Sequence, residues 1–221
     1  MILGIVGGIG SGKSHVTQLL KQKGCCSFHA DHVVHRSLEL PAVVDQLRAR
    51  WLIDEQGYIT CDHLPHVQVY RFDWQNNTAQ RQNIAGVVFG NPSEREFLET
   101  VLWPEVNKEI NTFLEHIAEN SIKAAVLDVP LLFEGGWDNL CDKIIFVSAP
   151  VKIRVERYMV RTELSYDLAF KDLTAREGFQ LNLEEKQTKS DFVIVNDGTK
   201  DVTLSVNRVY NELLLSINGK V

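Results

Sequence analysis

The run ILGIV at residues 2–6 breaks directly into GGIGSGKS at 7–14 and then into the patterned stretch KSHVTQLLKQKG. That junction limits the fold more than any other feature of the chain. A short β-branched apolar run closed by paired glycines predicts a fully buried strand. Val16, Leu19 and Leu20 recur on one helical face and Gly24 supplies a stop, which predicts a helix.

Between strand and helix, Gly7 to Ser14 matches G-x-x-x-x-G-K-[ST], in the context a phosphate-binding loop requires. The candidate nucleotide-binding residues are Gly8, Ile9, Gly10, Ser11, Gly12, Lys13, Ser14 and His15. Glycines let successive backbone N–H groups turn toward an anion without a Cβ in the way. The helix adds the positive end of its dipole. Lys13 supplies a mobile charge for the β- and γ-phosphates, and Ser14 offers a hydroxyl to Mg²⁺. The loop therefore awaits ATP or GTP. A guanine switch protein needs an N-K-x-D-type segment, and NKEI (107–110) lacks its aspartate. The chain is also short for a motor or remodelling ATPase, whereas a small-molecule kinase fits the size.

The same alternation continues downstream. Short apolar strands are predicted at CCSF (25–28), KAAVLDV (123–129), KIIFVS (143–148) and DFVIV (191–195). Helical patterning covers 32–50 with a break at Pro41, then 79–89, 93–119, 150–161, 165–180 and 202–217. Thr78 and Asn91 are cap-like, and Trp103-Pro104 is expected to kink or divide the helix around it. Five strands alternating with helices imply an α/β, doubly wound, parallel five-stranded sheet of the phosphate-loop kinase type. The expected organisation is one domain over 1–221: a core of 1–39 and 120–221, a helical acceptor-binding subdomain at about 40–119, and a helical lid at about 162–180.

Composition narrows the setting. Of 221 residues, 44% are hydrophobic and 24% charged, which is enough for one large core. The formal charge of −6 disfavours nucleic acid as a partner, and the four tryptophans, Trp51, Trp74, Trp103 and Trp137, are not interleaved with basic residues as a base-stacking platform would be. No apolar run approaches a membrane span, and MILGIV lacks the basic flank of a secretory signal. Cys25, Cys26, Cys61 and Cys141 form no C-x-x-C pair and read as reduced thiols. A cytoplasmic protein without membrane contact is expected.

Two carboxylates follow strands. Asp31 closes CCSFHAD, where it either takes or orients the proton of an attacking hydroxyl or merely caps the next helix. Asp128 ends VLD and either holds Mg²⁺ or its water shell or serves local hydrogen bonding. His29, His32 and His35 complete no metal pattern and read as solvated or capping. Lys186 and Lys189 in EEKQTKSD read as solvated, with Lys186 reaching for phosphate as the alternative.

These segments together carry a resemblance. IVGGIGSGKS, the Ala30-Asp31 pair, VFGNP, DVPLLFEGG, CDKIIFVSAP, RYMVR, EEK and NDG occur in the order seen in dephospho-coenzyme A kinases, across nearly the whole chain except about 60–80. The resemblance implies ATP-dependent phosphorylation of the ribose 3′-hydroxyl of dephospho-coenzyme A, with Mg²⁺ as cofactor. It implies that Asp31 has the base or proton-orienting role, with Lys13 and Arg161 at the transferring phosphoryl. Asn196 and Gly198 would flank the adenine, and Leu131, Leu132, Phe133 and Glu134 would line the acceptor site. The chain departs from the pattern at four places: His15 where the family usually has Thr, His29-Ala30-Asp31 where it has D-x-D, Trp103-Pro104 where it has His-Pro, and an insertion near 61–80. The rival readings are another phosphate-loop kinase, for nucleoside monophosphates or metabolites, and a catalytically weakened nucleotide-binding regulator.

Overall fold

A computed structural model describes residues 1–53, 84–88, 91–199 and 201–218, the last three as backbone alone. Thr78, Pro65, Trp74, Cys61, the 61–80 insertion and the Phe89-Gly90 part of VFGNP lie outside the described residues. The first unit of the chain comprises 1–30 with 113–221, and the second comprises 31–112.

The first unit carries the sheet. Its strands are β1 (Ile2–Gly7), β2 (Cys26–His29), β3 (Ala125–Asp128), β4 (Lys143–Ser148) and β5 (Phe192–Val195), in the order β2-β3-β1-β4-β5. All pairs are parallel, with Ile5 opposite Asp128, His29 opposite Asp128 and Gly7 opposite Val147. The expected parallel five-stranded sheet is therefore the fold observed. The register brings the loop after β1, Asp128 and the Asn196 that follows β5 to the same edge, where ligands of open α/β sheets gather.

Helix α1 (Lys13–Gln22) and the C-terminal helix share one face of the sheet. Val16, Leu19 and Leu20 meet Leu3, Ile5, Val126, Ile145 and Ile194, closed by Val202, Val206, Val209 and Leu213. Gly4 keeps the opposite face thin: a Cβ there would stand 2.7 Å from Leu132 Cδ2 and 3.0 Å from Cys141 Sγ. Cys25, Cys26 and Cys141 are free thiols, and burial pushes Cys25 up to about 11 and Cys141 up to about 12, so both stay protonated.

The second unit takes in α2 (Ala30–Ser37) from Asp31 on, α3 (Pro41–Trp51), a helical stretch at 84–88 and the long α4 (Pro92–Glu119) as far as Thr112. The break at Pro41 is where α3 begins, with proline in its first turn. Val43, Leu47, Trp51, Ile84, Val87, Val101 and Leu102 form a separate core. Glu94 is buried inside it and accepts from Trp51 Nε1 at 2.8 Å and Arg50 Nη2 at 2.7 Å. Helix α4 runs through Pro104 as one element, so of the two expected outcomes, a kink or a division, division does not occur. An interior proline costs about 3 kcal/mol. Burial of Val101, Leu102, Val106 and Ile110 around it, at about 1.5–3 kcal/mol each, outweighs that cost.

Beyond β4 come α5 (Val151–Thr162), α6 (Tyr166–Glu177), α7 (Leu183–Thr188) and, after β5, α8 (Val202–Asn218). Helix α7 and the 3₁₀ turn Trp137–Leu140 were not expected. No helix among the described residues is long and apolar enough to cross a membrane.

Candidate active site

The loop between β1 and α1 is shaped by its glycines and pinned from α5 and β5. Gly10 (φ 77°) and Gly12 (φ 95°) adopt left-handed backbone. A Cβ on Gly12 would lie 2.1 Å from Asn196 Nδ2, and one on Gly10 would lie 2.5 Å from the Arg154 carbonyl. Asn196, buried just past β5, donates from Nδ2 to the Ser11 carbonyl at 2.8 Å. Arg157 on α5 donates to the carbonyls of Gly10 and Ser11 at 3.3 Å each, and from Nη2 to Asn196 Oδ1 at 3.0 Å. Main-chain carbonyls thus point away from the cradle.

The start of α1 is left electropositive. Gly12 gives no side-chain cap and the first turn holds no acid. Lys13 Nζ folds back onto the carbonyls of Gly7 at 2.8 Å and Gly8 at 3.2 Å, bonds that phosphate oxygens can replace. Ser14 and His15 are exposed on the same turn.

Asp128, buried at the end of β3, lies 3.4 Å from the Thr17 hydroxyl on the next turn of α1 and 3.3 Å from His29 Nδ1. The other ring nitrogen of His29 meets Ser27 Oγ at 3.0 Å, so both ring nitrogens of this partly exposed histidine are engaged. An exposed hydroxyl at Ser14 and a carboxylate beside α1 suit a hard cation that keeps water and phosphate oxygens as its remaining ligands. No cluster of three or more His, Cys, Asp or Glu forms a metal cage among the described residues. The Ser14 hydroxyl and the Asp128 carboxylate are the groups that could hold Mg²⁺ carried in with the phosphates.

Other sequence-predicted residues fall as follows. Asp31 stands in the first turn of α2, exposed, and no hydrogen bond or ion pair engages its carboxylate among the described residues. Arg161 is exposed at the end of α5, its guanidinium 5.0 Å over the Tyr158 ring. Burial and the hydrogen bond to Asp172 raise the Tyr158 pKa above its ordinary value. Gly198 (φ 78°) has open space where a Cβ would stand. Leu132 is fully buried core, while Leu131, Phe133 and Glu134 are partly exposed. Glu134 Oε1 accepts from Leu181 N–H at 2.7 Å and lies 3.1 Å from Lys186 Nζ. Lys186 is wholly buried, which corrects the solvated reading: Nζ also donates to Gln180 Oε1 and the Pro130 carbonyl.

Sequence reasoning missed Arg154, Arg157 and Glu177. The signal was present: Arg154, Arg157 and Arg161 recur at i, i+3 and i+7, one face of a helix directed at the loop.

The dephospho-CoA kinase family (CoaE) matches residues 1–201. The chain belongs to that family. A dephospho-CoA kinase of Lactobacillus johnsonii is 30% identical over 202 residues, covering 89% of each chain. One from Bacillus cereus is 32% identical over 199 residues, covering 90% of each. A crystal structure from Thermus thermophilus superposes with a TM-score of 0.70 at 29% identity, covering 98% of this chain and 97% of that one. Dephospho-CoA kinases are ATP-dependent enzymes, and kinases generally take ATP with a divalent metal. The phosphate loop, Asp128 and Asn196 of this member sit at one sheet edge, where such a substrate would bind.

Proposed function

We propose that the chain transfers the γ-phosphoryl group of ATP to the ribose 3′-hydroxyl of dephospho-coenzyme A, giving coenzyme A and ADP. The observation that carries this reading is the family match over residues 1–201.

ATP phosphates enter the cradle from Gly8 to His15. Lys13 exchanges the Gly7 and Gly8 carbonyls for β- and γ-phosphate oxygens. Ser14 and Asp128 would hold Mg²⁺, whose charge would offset that of the phosphates. Asp31 accepts or orients the proton of the acceptor hydroxyl. Arg161 meets the transferring phosphoryl once the lid, at about 162–180, closes. The adenine lies by Gly198, where space is open, with Asn196 fixing the wall beside it. Leu131 and Phe133 line the acceptor site. Glu134 serves by holding their loop, because its Oε1 is committed to Leu181 and Lys186.

Offering ATP and Mg²⁺ with dephospho-coenzyme A, AMP, CMP or gluconate, and recording ADP release, tests the reading. Release with dephospho-coenzyme A, and far less with the others, is expected. Preference for AMP, CMP or gluconate would move the chain to another kinase reaction, and no release with any acceptor would make it a nucleotide binder.

A further inference from the structure

Ile9, in the first half of the phosphate loop, is held on both sides by one ion pair. Its N–H donates to Glu177 Oε1 at 2.7 Å, and its carbonyl accepts from Arg154 Nη1 at 3.3 Å. The two side chains pair with each other at 2.5 Å. Arg154 comes from α5 and Glu177 is the last residue of α6, so the loop is tied to both helices of that hairpin. The Ile9 side chain packs against Val155, Tyr158, Ala169 and Leu173 of the same hairpin. The pair is largely withdrawn from water, with 7% and 17% of the two side chains exposed. Gly8 makes room for it: a Cβ there would stand 2.5 Å from Arg154 Nη1 and 2.8 Å from Glu177 Oε1.

We infer that Arg154 and Glu177 are a positioning pair for ATP. They fix the loop from Gly8 to Gly10 in the shape that receives phosphates, and they make the loop and the α5–α6 hairpin one body. The inference rests on the ATP reading of the site. Glu177 alone would repel a triphosphate, but Arg154 balances its charge. A carboxylate that receives both a guanidinium and a main-chain N–H is among the stronger polar arrangements available to a loop. Both side chains are committed to Ile9 and to each other, so both act on the loop through Ile9.

The test compares the parent with Glu177→Ala, Glu177→Gln, Arg154→Met and the double variant Arg154→Met/Glu177→Ala. ATP affinity is measured by calorimetry with Mg²⁺–ATP, followed by steady-state KM and kcat and by hydrogen exchange at the Ile9 amide. Glu177→Ala should weaken ATP binding about tenfold, the scale of one hydrogen bond to a charged group. The KM for dephospho-coenzyme A should hold, and Ile9 exchange should quicken. Gln keeps an oxygen for the Ile9 N–H and should recover part of the loss. The double variant should bind ATP no worse than the poorer single variant, because the two residues act as a unit. If Glu177→Ala does not fold, the Gln variant decides, with weaker ATP binding and faster Ile9 exchange supporting the pair. Parental ATP affinity in the folded variants, even with a lowered Tm, would overturn the inference, and so would tighter binding. A parent that binds ATP but does not phosphorylate dephospho-coenzyme A refutes the proposed acceptor alone, since the ATP comparison needs no acceptor.

Discussion

Lys13 and Lys186 both donate to main-chain carbonyls of the loops that follow central strands, yet they do opposite work. Lys13 bonds the Gly7 and Gly8 carbonyls from a partly exposed position at the mouth of α1. Those carbonyls can return to water when phosphate takes the ammonium. Lys186 has no exposure and meets three acceptors, the Pro130 carbonyl, Gln180 Oε1 and Glu134 Oε1, one for each of its protons. Nothing can take its place without leaving a buried polar group unpaired. Charge at the ligand edge is held loosely so that it can be given up, whereas charge in the interior is held completely. The same difference separates Asp31, whose carboxylate is unengaged among the described residues, from the fully committed Glu94.

The strongest way to break this contrast is Lys13→Ala. Turnover should be lost or nearly so, because the migrating phosphoryl loses the loop's cation. The melting temperature should hold, because the side chain is replaced at a ligand surface. Parental turnover in the purified variant would end the phosphate-loop assignment. Asp31→Asn comes next. If the carboxylate orients or takes the acceptor proton, turnover should fall by about 10²–10⁴, the usual range for a positioned acid–base group. ATP affinity should barely move. Full activity would remove Asp31 from the mechanism.

Lys186→Met inverts the pattern. It takes the ammonium from Gln180, from the Pro130 carbonyl and from Glu134, which keeps only the Leu181 N–H, and breaking a buried pair from one side costs about 3–5 kcal/mol. Urea unfolding should show most of that loss, while the ATP affinity of the folded fraction stays near the parent's. A variant as stable as the parent would mean that the buried network contributes no net stability.

These two lysines also mark how far the sequence could be read. The β1–loop–α1 unit was legible because its causes are local: a β-branched run, glycines at left-handed positions and one apolar helix face. Lys186 was not, because LEEKQT has no apolar period and its burial comes from Pro130, 56 residues away. The 3₁₀ turn at Trp137–Leu140 is too short to carry a period. Pro104 was half legible: local preference forecast a kink or a division of α4, and burial on both sides of the proline keeps the helix undivided. Asp128 was placed correctly after a central strand, but its proximity to His29 depends on the β2–β3 register, which no local pattern encodes. Arg154 and Arg157 lay between these extremes. Their helical spacing was visible, and only their target was not.

A third lysine sharpens the comparison with the smallest effect. Lys143 Nζ lies 2.5 Å from Asp191 Oδ1, and Asp191 Oδ2 accepts from the Ile144 N–H at 2.8 Å. Burial pushes the Asp191 carboxyl up, but the Lys143 ammonium and the Ile144 N–H more than offset it and hold the pKa below its ordinary 3.8. A carboxyl whose pKa is lower in the folded state stabilises the fold above its unfolded value, and that contribution is lost as pH falls through the folded value. Asp191→Asn should therefore destabilise the protein at neutral pH, and the gap to the parent should close on acidification from about pH 5 downward. With 43% and 33% of the two side chains exposed, water and salt screen the pair, so the cost at neutral pH should stay within about 1 kcal/mol. ATP affinity and turnover should match the parent, since Asp191 precedes β5 at the end of the sheet away from the phosphate loop. Denaturant curves at several pH values and two salt concentrations would decide it. A gap that widens in acid, or that ignores salt, would show that Asp191 is held like Lys186 and not as a surface partner.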